Sequence, residues 1–183
     1  MNSNRKQLQA SRQLARPVVG LLPALTFPSS PLPDSQAFPV QPLGPEDGAA
    51  CLALDRLALG GLWSLEQWQR ELLEPARPVL GRRDQEGRLL ALVSAWLVAE
   101  ELQITALAVH PAHRRLGLGR EVLQALLNLA RQAGAERACL EVSCANQAAR
   151  QLYSSLGFAE VALRRGYYRN GDDAVVELLH LRG

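Results

Sequence analysis

The run Ile104-Thr105-Ala106-Leu107-Ala108-Val109-His110-Pro111-Ala112-His113-Arg114-Arg115-Leu116-Gly117-Leu118-Gly119 changes character twice. An apolar stretch with strand propensity ends at His110-Pro111, and a basic loop with two glycines follows. Beyond it Leu118, Val122, Leu123, Leu126, Leu127 and Ala130 recur at helical spacing. Gly134 stands where a helix would take a C′ residue. A strand that feeds a glycine loop and then a helix start lines up successive N–H groups at the positive end of a helix dipole, which makes an anion site. Gly117 and Gly119 permit unusual backbone angles and close approach of a ligand. Arg114, Arg115 and Arg120 add guanidinium forks suited to phosphate oxygens. Taken alone, such a loop is also compatible with a plain strand-to-helix turn. Two familiar phosphate loops do not fit. A dinucleotide fingerprint needs a third glycine where Val122 stands, and Gly-Lys-Ser/Thr is absent.

Working outward, Leu102 to Val109, Leu89 to Val98 and Pro78 to Gly81 read as strands, with Asp84 to Gly87 as a turn. Ser64 and Gln67 form a capping box before Trp68 and Leu72. Gly44-Pro45-Glu46-Asp47 opens an earlier helix whose apolar face is expected at Ala50, Leu52, Leu54, Leu57 and Leu59. A first short strand is expected over Ala37 to Leu43. On the other side, Arg137 to Ser143 reads as a strand and Ala145 to Leu156 as a helix closed by Gly157. Phe158 to Leu163 and Ala174 to Leu181 read as two more strands. Strands and helices mixed in this order predict an α/β domain around one central sheet.

With 183 residues and 48% apolar composition, the chain is large enough for one domain with a sizeable core. The first thirty-three residues carry Arg5, Lys6, Arg12 and Arg16 and no acid, so the rest holds 16 basic against 18 acidic side chains. That balance lacks the basic footprint of a nucleic-acid binder, and no direct nucleic-acid partner is expected. Residues 1–36 are rich in Pro, Ser and Gln and read as a disordered or targeting tail ahead of a domain at 37–183. Cytoplasm is the expected compartment, or an organelle if the tail is a transit peptide. Three cysteines, Cys51, Cys139 and Cys144, match neither a disulfide framework nor a zinc pattern. No stretch approaches the roughly 18 unbroken apolar residues of a membrane-spanning helix, so no membrane partner is expected.

Glu141 lies in mid-strand between Leu140 and Val142. A carboxylate there needs a partner or a task. It reads either as half of a structural ion pair or as a general base whose pKa burial would raise. Tyr153 lies on the following helix near the apolar Ala149, Leu152 and Leu156, and is either a core residue or a proton donor. Asn146 suits an N-cap. Tyr167 and Tyr168 would line a groove or pack on the last strands. His110 and His113 have no Cys or carboxylate at metal spacing and read as surface residues; no metal is expected.

Arg114-x-x-Gly117-x-Gly119 after an apolar strand resembles the coenzyme A motif of the GNAT acetyltransferases. Leu140-Glu141-Val142-Ser143-Cys144-Ala145-Asn146 with Ala149-Arg150-Gln151-Leu152-Tyr153-Ser154-Ser155-Leu156-Gly157-Phe158 is similar to the RimI family, which acetylates N-terminal alanines of ribosomal proteins. Leu62-Trp63-Ser64 and Arg164-Arg165-Gly166-Tyr167-Tyr168 extend the likeness over about Val40 to Leu181. Two departures bear on the acceptor: Gly166 replaces an Asn before the paired tyrosines, and Arg169 to Asp172 is short. The resemblance implies a GNAT fold, with a mixed, mainly antiparallel central sheet flanked by helices and split by a β-bulge. It implies acetyl-CoA as co-substrate, held by the backbone of Leu107, Ala108 and Val109, by Arg115, Leu116, Gly117, Leu118, Gly119 and Arg120, and by Asn146. Glu141 would be the general base and Tyr153 the general acid. The acceptor would be a protein N-terminus, on a ribosomal protein; a lysine or a small amine is the alternative.

Overall fold

The computed structural model describes residues 39–182. The tail over residues 1–36 lies outside the described residues. Strand β1 (Gln41–Pro42) and a 3-10 turn (Pro45–Asp47) precede helices α1 (Gly48–Leu59) and α2 (Leu65–Leu73). Then come β2 (Val79–Arg83), β3 (Leu89–Val98), β4 (Glu101–Val109), α3 (Leu118–Gln132), β5 (Arg137–Ser143), α4 (Gln147–Ser154), β6 (Ala159–Arg164) and β7 (Ala174–His180). The seven strands form one sheet in the order β1-β2-β3-β4-β5-β7-β6. All neighbours are antiparallel except β4 and β5, which α3 joins as a parallel crossover. This is the mixed, mainly antiparallel sheet the resemblance implied.

Two apolar clusters cover the two faces. On one, α3 packs Val122, Leu123, Leu126 and Leu127 onto Val93, Ala95, Leu102 and Leu140, and Tyr153 of α4 joins the same cluster. On the other, Cys51, Leu54, Trp63 and Trp68 of the α1–α2 hairpin cover Leu92, Ala106 and Ala108. The capping box expected at the start of α2 is present: Gln67 N donates to Ser64 Oγ at 3.2 Å and Ser64 N to Gln67 Oε1 at 2.9 Å.

The β-bulge that the resemblance implied sits at Thr105. Ser94 pairs with Ala106 and Ala95 with Ile104, so Thr105 has no opposite residue. The extra residue shifts the alternation of β4. Leu102 and Ile104 face α3, whereas Ala106 and Ala108 face α1 and α2. It also bends β4 away from β5: their pairing runs only from Glu101↔Arg137 to Gln103↔Cys139. Beyond it the two strands diverge, and among the described residues β4 from Ile104 onward has no strand partner on that side.

Two expectations need correction. The first strand spans only Gln41–Pro42, since Leu43 already turns inward to bond Val79 O. The face expected for α1 is only partly the buried one: Leu54 is core and Ala50 and Leu52 pack against it, but its last two leucines are not. Leu57 is 60% exposed and Leu59 39%, while Cys51, Leu54 and the carboxylate of Asp55 are buried. Asp55 can occupy a core position because three donors meet it. Leu62 N, Trp63 N and Trp68 Nε1 lie at 2.7, 2.9 and 3.0 Å from its oxygens. These charge-assisted bonds tie the α1–α2 turn to the helix before it.

Candidate active site

The glycine loop follows the end of β4, six residues beyond its last pairing with β5. Gly117 has φ +85 and is the N-cap of α3. Space is open where a Cβ would sit on Gly117, with nothing within 4 Å. At Gly119 a Cβ would come within 3.3 Å of Val109 Cγ2 and 3.4 Å of Leu152 Cδ2. The two glycines therefore answer different needs: one a left-handed backbone, the other close packing of α3 on β4. Arg115 is also left-handed, at φ +63, a strained state for a non-glycine residue and one that clusters at ligand loops. The first intrahelical bond of this turn runs from Glu121 N to Gly117 O. The N–H groups of Leu118, Gly119 and Arg120 thus have no acceptor within the helix.

The three loop arginines do not act alike. Arg114 is turned to backbone carbonyls, Val109 O at 3.4 Å and Ala58 O at 3.3 Å, and braces the loop against α1. Arg120 donates to Ser155 Oγ at 2.6 Å, linking α3 to the end of α4. Leu116 is 65% exposed at the loop tip. Leu107 and Val109 pack against the α3-side cluster and Ala108 against the other, so these three have only their backbone to offer a ligand.

Glu141 and Tyr153 lie on opposite faces of the sheet. On β5, Ala138, Leu140 and Val142 point to the α3 side; Glu141 and Ser143 point away from it. Glu141 borders a cleft of about 560 Å³. Leu59, Leu62 and Trp63 form one wall of that cleft and Tyr167 and Tyr168 the other, with Thr105 between. The Glu141 carboxylate pairs with Arg164 Nη1 at 3.1 Å. Tyr168 Oη donates to the Glu141 backbone carbonyl at 3.3 Å. Burial, helped by the charges around it, pushes the Tyr168 hydroxyl up to about 12.

Tyr153 is buried, with its ring tilted on Phe158 at 5.9 Å. Burial, the Glu177 carboxylate and Tyr168 together push its hydroxyl well above the ordinary tyrosine range. Tyr168 lies beside Glu141 on the cleft face, whereas Tyr153 belongs to the α3-side cluster. Asn146 caps α4 through Oδ1, which accepts from Ala149 N at 3.2 Å, so its amide N–H bonds are not needed for the cap. His110 and His113 pair with each other, Nδ1 to Nδ1 at 3.3 Å, away from the cleft walls. Among the described residues no group of three metal-ligating side chains occurs.

Sequence reading missed the cleft's supports. Trp96 Nε1 donates to the buried Glu71 at 2.7 Å, and Arg77 meets the same carboxylate at 2.8 Å. Ser143 Oγ donates to Asp172 Oδ2 at 2.8 Å, joining the cleft floor to the β6–β7 loop. A polar residue at a buried helical position, such as Asp55 four after Cys51, was the available signal.

The sheet parts between β4 and β5, a glycine-led helix starts beyond the end of β4, and a carboxylate borders the cleft. The model of the acetyltransferase (GNAT) family matches residues 52–158, and the chain belongs to that family; it is an acyltransferase of RimI type. It is 38% identical over 98 residues to the ribosomal protein bS18-alanine N-acetyltransferase of Escherichia coli, covering 52% of this chain and 66% of that one. It is 32% identical over 148 residues to the N-alpha-acetyltransferase RimI of Mycobacterium tuberculosis, covering 77% and 91%. The crystal structure of the ribosomal-protein-alanine N-acetyltransferase from Escherichia coli superposes with a TM-score of 0.73 at 29% identity, covering 79% of this chain and 94% of that one.

Proposed function

We propose that this protein transfers the acetyl group of acetyl-CoA to the N-terminal α-amino group of a protein, the alanine of a small-subunit ribosomal protein, in the cytoplasm. The observation that carries this reading is the early end of the β4–β5 pairing at Gln103↔Cys139, which leaves β4 unpaired on that side up to the glycine loop, while Thr105 of β4 and Glu141 of β5 border one cleft. The free N–H groups of Leu118, Gly119 and Arg120 suit the coenzyme's diphosphate, with Arg115 beside them. The unpaired edge of Leu107, Ala108 and Val109 suits its pantetheine amides, and Asn146 offers further N–H donors. The acceptor chain enters between the Leu62–Trp63 wall and Tyr167–Tyr168. Glu141 takes a proton from the incoming ammonium group, and the freed amine attacks the thioester carbonyl. The C–S bond breaks, and Tyr153 supplies the proton that converts the departing thiolate to a thiol. An α-amino group, with pKa about 7.7–8.0 against about 10.4 for lysine, loses its proton readily to a single carboxylate near neutral pH.

The names of the relatives supply the ribosomal acceptor. The test is N-terminal mass spectrometry of unacetylated small-subunit ribosomal proteins incubated with the enzyme and acetyl-CoA. A gain of one acetyl on an N-terminal alanine is expected. Acetylation confined to lysine side chains, or to free polyamines offered in competition, overturns the assignment.

A further inference from the structure

The helix start that would receive the diphosphate carries a charge of the wrong sign. Glu121 lies in the first turn of α3, and helical side chains lean toward the helix N-terminus. Its carboxylate therefore lies toward the N–H groups of Leu118, Gly119 and Arg120. A carboxylate there suits the helix dipole but repels a bound phosphate.

Arg82 meets this charge from beneath. It lies on β2 opposite Ala91, and Ala91 pairs on its other side with Val109, the residue from which the loop departs. The Arg82 side chain shares the α3 face with Leu80, and its Nε donates to Glu121 Oε2 at 3.2 Å. That side chain is only 11% exposed, against 48% for Glu121. Its Nη1 is buried and bonds to nothing among the described residues. An ion pair with a half-exposed partner adds little to a fold, so stability alone does not explain burying a guanidinium with an idle nitrogen.

We propose that Arg82 is a positioning residue for coenzyme binding: it neutralises Glu121 and holds that carboxylate aside, so that the helix start meets the diphosphate as a cationic site. This rests on the loop being the coenzyme site. The test is calorimetric titration of coenzyme A into the full chain at low and high ionic strength. Arg82→Met is expected to weaken binding about fivefold to tenfold at low salt, and less at high salt, where screening hides the stranded charge. Adding Glu121→Gln to Arg82→Met should restore affinity to within about twofold of the parent, the non-additivity expected of a coupled pair.

Glu121→Gln alone should bind at least as tightly as the parent, and this keeps the idea testable whatever Arg82→Met does to folding. Parental affinity in Arg82→Met overturns the proposal, as does a double variant as weak as the single or a weakened Glu121→Gln. A parent chain that does not bind coenzyme A would overturn the coenzyme reading itself, a different result.

Discussion

Replacing Gly117 with valine isolates the backbone's part in the loop proposed to hold the coenzyme. Gly117 is held at φ +85, and no atom stands within 4 Å of the position a Cβ would take. The substitution therefore creates no clash, and its whole effect is conformational. A left-handed backbone costs an L-residue about 1–2 kcal/mol, and a β-branched one more. That energy has two outlets. If the loop keeps its shape, stability falls, by about 2–4 °C in melting temperature per kcal/mol for a domain of this size. If φ relaxes to a negative value, the first N–H groups of α3 swing off their common focus, and the cost appears as lost affinity. The same 1–2 kcal/mol corresponds to about a fivefold to thirtyfold rise in the dissociation constant. Coenzyme A calorimetry and a thermal melt on the same protein measure both outlets. We expect at least about a tenfold loss of affinity with the fold retained. A lower melting temperature with unchanged affinity would overturn that expectation and show that the loop keeps its shape while the fold bears the whole cost. No change in either would refute the strained-loop argument.

Glu141→Gln should lower turnover about a hundredfold or more with coenzyme affinity unchanged, and should recover in part at alkaline pH as more free amine is present; a parental rate across pH would remove Glu141 from the base role. Tyr153→Phe should lower turnover with binding and fold kept, since only a hydroxyl is lost; steady-state kinetics beside coenzyme titration checks this. The same residue predicts a pH dependence of stability. Its folded pKa is raised, so above about pH 10 the unfolded chain loses a phenol proton that the folded chain keeps, and stability falls as pH rises. Denaturant titrations should show a shallower alkaline decline in the phenylalanine variant, and an identical slope would contradict the burial argument. A chain beginning at residue 35 should melt and turn over like the full protein, because among the described residues both apolar clusters and what packs on them fall within 40–181; a large loss of transfer activity would assign the tail a role.

Much of this was legible before any coordinates. The helix at Leu118–Gln132, the strand at Arg137–Ser143 and the capping box at Ser64 rest on apolar periodicity and caps, which near neighbours along the chain specify. The glycine loop was legible for the same reason, as was the family likeness carried by Arg114 to Gly119 and Leu140 to Phe158.

The outer side of α1 was misread because periodicity counts apolar residues and cannot see donors arriving from elsewhere. Asp55 is buried only because Leu62, Trp63 and Trp68 fold back onto it. Arg114 looked like a phosphate ligand until Ala58, 56 residues away, supplied a carbonyl. The bulge at Thr105 rests on register with β3, and the opening beside it on how few residues β5 pairs with β4. Glu141 and Tyr153 are twelve positions apart in the chain, yet only the pleat of β5 and the docking of α4 put them on opposite faces of the sheet. The sequence by itself determined most of the elements that form and the family to which the chain belongs, because those depend on local spacing and motifs. Tertiary structure alone decided which residues meet, because strand register and the partners of buried charges are set by contacts between residues far apart in the chain.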